Sequence, residues 1–253
     1  MTGILAAEAS NRGRQFHQIM GMVCLVVSAF GFVPTFFIPL VQGTLHGPPM
    51  YYVHAALFLA WLVFLISQAR LATSGRVAAH REWGILGAAL ATSMVFSVFT
   101  LVVIQLNRVP ATSAPPLPLL WEDVWVNLFF ATCVAAALAN TRRSDRHRRL
   151  LLVGTITLLF PPLGRWVSVW APGFLRSPPD FTPTELVIVL VLTFVPALLI
   201  VTAMVVDRNA RGRLSRIYIV GLLAYVVLVF TQTRIGNSGL WFSVANRLRH
   251  IPG

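Results

Sequence analysis

Histidine is the residue type with the most chemistry to offer in this chain. There are six: His17, His46, His54, His80, His147 and His250. Two of them recur in matching surroundings. The stretch SGRVAAHREWGILG at 74–87 and the stretch TRRSDRHRRLLLVG at 141–154 align Arg76, His80, Arg81 and Gly87 with Arg143, His147, Arg148 and Gly154, sixty-seven positions later. Two imidazoles from different helices, at one depth and facing each other across about 4 Å, are what a bis-histidine haem b site requires. His80 and His147 meet the depth condition, and Arg76, Arg81, Arg143 and Arg148 are suitable bidentate partners for haem propionates. His54, with His46 as partner, offers a second, outer site. The competing reading is an interfacial histidine, half wet, bonded to a loop carbonyl or a lipid phosphate. A position at a helix end, where porphyrin is poorly buried, favours that reading.

A second pattern lies in the segment around residues 50–71. His54, Trp61 and Gln68 are spaced seven apart and so share one helix face, drifting by about 20° per step. Polar side chains inside a membrane span face protein or water rather than lipid. They are expected either to line a pocket or path, or to form interhelical hydrogen bonds that orient the helix.

Other chemistries are excluded. The chain contains no lysine, so a retinal-type Schiff base is impossible. The eight acidic residues, Glu8, Glu82, Glu122, Asp123, Asp145, Asp180, Glu185 and Asp207, fall outside apolar runs or at their ends. That placement argues against ion-coupled transport through a mid-membrane acid. There is no zinc-protease, nucleophile-elbow or Walker motif, and no histidine cluster of the membrane desaturase kind. Cys24 and Cys133 lie within apolar segments and read as small buried residues.

The elements that must position these residues follow from composition. Of 253 residues, 57% are hydrophobic and only 11% charged, with mean hydropathy +0.75. Uncharged runs near the ~20 residues needed to cross a bilayer define an integral membrane protein. The expectation is an all-α polytopic bundle forming one transmembrane domain, 1–253. Seven spans are expected at 18–41, 50–71, 82–105, 121–140, 149–170, 184–206 and 216–233. FPPLGRW at 160–166 should break or kink the fifth, and Pro34, Pro39 and Pro196 should bend the first and sixth. Thr182, Pro183 and Glu185 should start the sixth. The Pro-rich outer loop at 107–120 should be irregular.

All 20 basic residues are arginine. Fourteen fall on the side of the N-terminus and of the loops after spans two, four and six; six fall opposite. By the positive-inside rule the N-terminus is cytoplasmic and the C-terminus outside. Arginines in short loops between apolar runs point to anionic lipid headgroups rather than nucleic acid. No small-residue cleavage site follows the first apolar run, so a retained helix is expected there. The repeated Arg-x-x-x-His-Arg then marks the cytoplasmic loops of two successive hairpins, by internal duplication or by convergence on a basic loop entering a helix.

At His54, Gln68, Arg76, His80, Arg81 and Gly84 the chain resembles uncharacterised bacterial multipass membrane proteins that pair an early histidine in one helix with His-Arg-x-x-Gly at the start of the next. More distantly it is similar to the cytochrome b561-like haem proteins, in which histidines on four successive core helices hold two haems. Span four here has no histidine, so one site at most is implied. The resemblance implies a haem-b-binding redox protein of the bacterial cytoplasmic membrane working with a membrane redox partner. The alternative is a non-enzymatic bundle: a small-molecule or lipid transporter, or an accessory subunit.

Overall fold

A computed structural model describes residues 2–108, 117–170 and 183–249. Among them there is no strand. The helices are α1 (Thr2–Phe32), α2 (Ile38–Val41), α3 (Pro49–Thr73), α4 (Val77–Arg108), α5 (Leu117–Ala139), α6 (Ser144–Thr157), α7 (Phe160–Trp170), α8 (Pro183–Arg211), α9 (Arg216–Gly236) and α10 (Gly239–Arg249), with a π-helical segment, Val33–Phe37, between α1 and α2. Five of the described helices are long and apolar enough to cross a membrane. The outward surface is equally apolar: Val26, Ile85, Phe96, Leu198, Val220 and Phe230 are each more than half exposed. Lipid solvates such a surface; water does not.

Proline explains the irregular backbone. Pro34 has no N–H to give the carbonyl of Phe30, and the helix widens into the π segment there. The freed Phe30 carbonyl is taken by the indole Nε1 of Trp166 at 2.9 Å. Pro161 and Pro162 withhold donors from Thr157 and Leu158, so α6 ends at Thr157 and the chain turns through Leu158 and Leu159 before α7. The fifth apolar segment is therefore two helices rather than one kinked helix. Pro196, by contrast, sits within a continuous α8. The hydroxyl of Tyr225 donates to the Thr193 carbonyl beside that gap.

Other boundaries differ from expectation. Helix α4 begins at Val77, so His80 belongs to its first turn and not to a loop. The C-terminal stretch forms the helix α10, whose Trp241 Nε1 donates to the Leu117 carbonyl at 2.8 Å and whose Arg249 Nε donates to that of Leu106 at 3.1 Å. Thr182, His250 and most of the Pro-rich outer loop lie outside the described residues.

The core is centred on Trp61, which is 2% exposed. Its indole packs edge-on against Phe130 at 4.9 Å and donates to Thr155 Oγ1 at 3.2 Å, tying α3 to α5 and α6. The two matching stretches play the same part in their hairpins. The His80 N–H bonds the Arg76 carbonyl at 3.0 Å, and the His147 N–H bonds that of Arg143 at 3.1 Å. Arginine thus precedes the first turn and histidine closes it, twice. Seven residues further on, a Cβ on Gly87 would strike the Phe64 ring, and one on Gly154 would lie 2.8 Å from Cys133 Cβ. Each glycine lets its helix close against the one before it.

Candidate functional site

The two closures bring His80 and His147 together. Their ring centres are 6.4 Å apart and their planes are perpendicular. Both rings are half-buried. Nδ1 of His147 lies 2.8 Å from the Ala137 carbonyl. A carbonyl can only accept, so the neutral ring carries its proton on Nδ1 and keeps a lone pair on Nε2. Nδ1 of His80 is buried without a hydrogen-bond partner, although the Gln68 backbone lies beside the ring. Two imidazoles on opposite sides of one metal ion, each nitrogen about 2 Å from it, have ring centres roughly 6 Å apart. The pair therefore has the spacing and an available nitrogen on each ring. Among the described residues no group of three or more His, Cys, Asp or Glu could hold a metal ion; this is a pair and not a cluster.

The arginines expected around the pair are differently placed. Arg76, Arg81 and Arg143 are exposed. Arg148 is half-buried and bonds Asp145 at 2.7 Å. Next to it the buried Arg149 binds Asp207 at 2.8 Å, and Arg211 bridges Asp207 at 3.2 Å to Asp145. The bond from Arg211 holds the Asp145 carboxyl below the usual carboxylate range. This network fastens the start of α6, and with it His147, to the end of α8.

His54 is remote from that pair. It lies fourteen residues, about 21 Å of helix, from Gln68 along α3, and its Nδ1 is 2.9 Å from Ser97 Oγ. It lines a second feature, a cavity of about 360 Å³ at the opposite end of the bundle. His46 reaches the same cavity, but so do Asp123, Asn127 and Arg165, and no pairing between His46 and His54 is formed among the described residues. Trp61 and Gln68 do face inward as the spacing requires. They do not continue the cavity: Trp61 is packed solid, and Gln68 borders a separate open groove with Arg70, Arg76 and Trp83.

Several of these residues were not legible as site residues. Glu122 and Asp123 fall near an end of an apolar run, as expected, but spacing gave no sign of their burial. The structure places them in the second turn of α5, with Glu122 6% exposed. Asp207 is likewise buried, at 7%. The available signal was an acidic pair framed by tryptophans, WEDVW, and a lone arginine in the proline-broken FPPLGRW. Arg165 sits 4.8 Å above the Phe32 ring and donates to Thr35 Oγ1 at 3.3 Å.

Comparison with family models, curated proteins and solved structures yields no match. The functional reading rests on the geometry alone.

Proposed function

We propose that the protein is a b-type haem-binding redox protein of the bacterial cytoplasmic membrane, with His80 and His147 as the two axial ligands. The observation that supports this is the 6.4 Å separation of two perpendicular imidazoles delivered by two different hairpins. His147 is set for the role by the Ala137 carbonyl, which fixes its tautomer and raises the basicity of Nε2. His80 contributes from the matching turn of α4. Arg76, Arg81 and Arg143 are the exposed guanidiniums to hold propionates, and Arg148, bonded to Asp145 through one nitrogen, has further N–H groups to join them. Haem bound there would supply one-electron transfer, and the chain would exchange that electron with a membrane redox partner.

In this reading the chain crosses the membrane seven times, with the N-terminus inside and the C-terminus outside. The pair α6–α7 counts as one crossing, and the 21 residues of α9 measure about 31 Å, enough for another. The groove holding Arg70 and Arg76 supports contact with anionic headgroups on the same face.

The test is the absorption spectrum of the purified full-length protein expressed with haem supplied. A low-spin b-type spectrum that shifts on dithionite reduction is expected. His80→Ala and His147→Ala should each abolish it or convert it to high-spin, while His17→Ala and His54→Ala leave it unchanged. A protein that binds no haem, or whose spectrum survives both substitutions, overturns the reading.

A further inference from the structure

The cavity beside His54 is independent of the histidine pair, and its construction is unusual. Helices α3, α4 and α5 wall it on one side, and on the other stand the two places where the backbone departs from α-helix: the π segment supplies Thr35 and Phe36, and the α6–α7 break supplies Leu158, with Pro161 and Pro162 just after it. Irregular backbone at membrane depth is tolerated where it lines a cavity, and π segments concentrate at functional sites. The irregularities are also braced. Phe30 stacks on Trp166 at 4.4 Å, and a Cβ on Gly31 would meet Pro162 at 2.6 Å. The opening is therefore held by close packing on either side.

Two of its polar groups, on His54 and Asn127, present acceptors. Ser97 Oγ spends its own proton on the Met94 carbonyl at 2.7 Å, so it must accept from Nδ1–H of His54. The neutral His54 ring then presents Nε2 as a lone pair. Asn127 is 4% exposed, lines the cavity, and its Oδ1 has no hydrogen-bond partner among the described residues. A buried acceptor without a donor is costly, and a ligand that donates to it removes that cost. Asp123 and Arg165, of opposite formal charge, both line the space, so their charges sum to zero and favour no ion of either sign. The remaining surface is apolar, with the rings of Phe32, Phe36, Tyr51 and Phe58 set among aliphatic side chains.

We infer that this cavity is a binding site for a small neutral aromatic molecule bearing a hydroxyl or N–H donor, which Asn127 Oδ1 and His54 Nε2 receive. The volume, about 360 Å³, is within the ordinary range for small-molecule pockets. Asn127 is the orienting contact and Ala55, buried on the wall, sets the space.

The experiment uses the full chain in nanodiscs and 2-naphthol as probe, read by equilibrium dialysis against empty nanodiscs. Saturable one-site uptake above bilayer partition is expected. Asn127→Leu should weaken it about tenfold while leaving the weaker uptake of naphthalene, which has no donor, unchanged. Ala55→Phe should remove saturable uptake; should that variant not fold, Asn127→Leu decides alone. His80→Ala should bind 2-naphthol as the parent does, so that failure here and failure of the haem reading are told apart. Purely linear uptake, or an affinity for 2-naphthol indifferent to Asn127→Leu, overturns the inference. So does tighter binding of 2-naphthalenesulfonate or of naphthylmethylammonium, which would make the site one for ions.

Discussion

Asp207 is the residue whose loss should harm the fold most among the charged positions, and more than loss of its own partner. Arg149 and Asp207 are both buried and 2.8 Å apart. The two are not equivalent. Asp207 Oδ1 also receives Arg211 Nε at 3.2 Å, whereas Arg149 has no second carboxylate in the network. Asp207→Leu strands a buried guanidinium, which costs about 3–5 kcal/mol. Arg149→Met leaves Asp207 paired with Arg211, so its cost is that of a hydrogen bond to a charged group, about 1.5–3 kcal/mol. The double variant removes both charges. Asp207 Oδ2 is buried without a partner in the parent, so the ionic arrangement is imperfect and an apolar pair of similar volume replaces it at little cost. Reversible unfolding in mixed micelles titrated with dodecyl sulfate, followed by tryptophan fluorescence, measures each variant. Asp207→Leu should be the least stable, and adding Arg149→Met to it should restore roughly 2–4 kcal/mol. If Arg149→Met is the more damaging single change, or if the second substitution restores nothing, the assignment of Arg211 as the reserve partner is wrong.

Gly87→Leu and Gly154→Leu should each destabilise by about 1–3 kcal/mol in the same titration, because each forces apart a hairpin packed on bare backbone; unchanged stability in both would contradict the close approach to Phe64 and Cys133. A periplasm-active reporter fused after Gly253 should be active and one fused after Arg149 silent, and the reverse pattern would invert the proposed orientation. Asp145 gives a pH dependence of defined sign. Its folded value is depressed by Arg211 below the ~3.9 of an unfolded aspartate, so its contribution is full above that pH and is lost as the pH falls through the folded value. Asp145→Asn should flatten that acid-side decline, read as thermal midpoint against pH, and a parent profile already flat below pH 4 would argue against the bond.

The sequence alone determined that the chain is helical and apolar enough for a membrane, where proline interrupts its helices, and that His54, His80 and His147 could meet a ligand; it did not show Asp123, Asn127 or Arg165 as site residues. Apolar runs of bilayer length dictate spans, and a proline dictates a missing donor four residues earlier, so the widening at Pro34 and the break before Pro161 are local consequences of composition. The inward face of His54, Trp61 and Gln68 follows from spacing by seven. The pairing of His80 with His147 was legible only as equal depth, since the distance between two rings depends on how two hairpins rotate against each other. That rotation is set by contacts distant in sequence: Gly154 on Cys133, Trp61 on Thr155, Arg149 on Asp207. The burial of the acids at 122 and 207 was not legible for the same reason. Sequence places a carboxylate at a helix end, but whether that end is wet depends on what packs over it, and here the covering groups come from other helices. The outer cavity belongs wholly to tertiary structure: its two irregular walls lie more than a hundred residues apart, and only the packing of α1 on α7 makes them face one space.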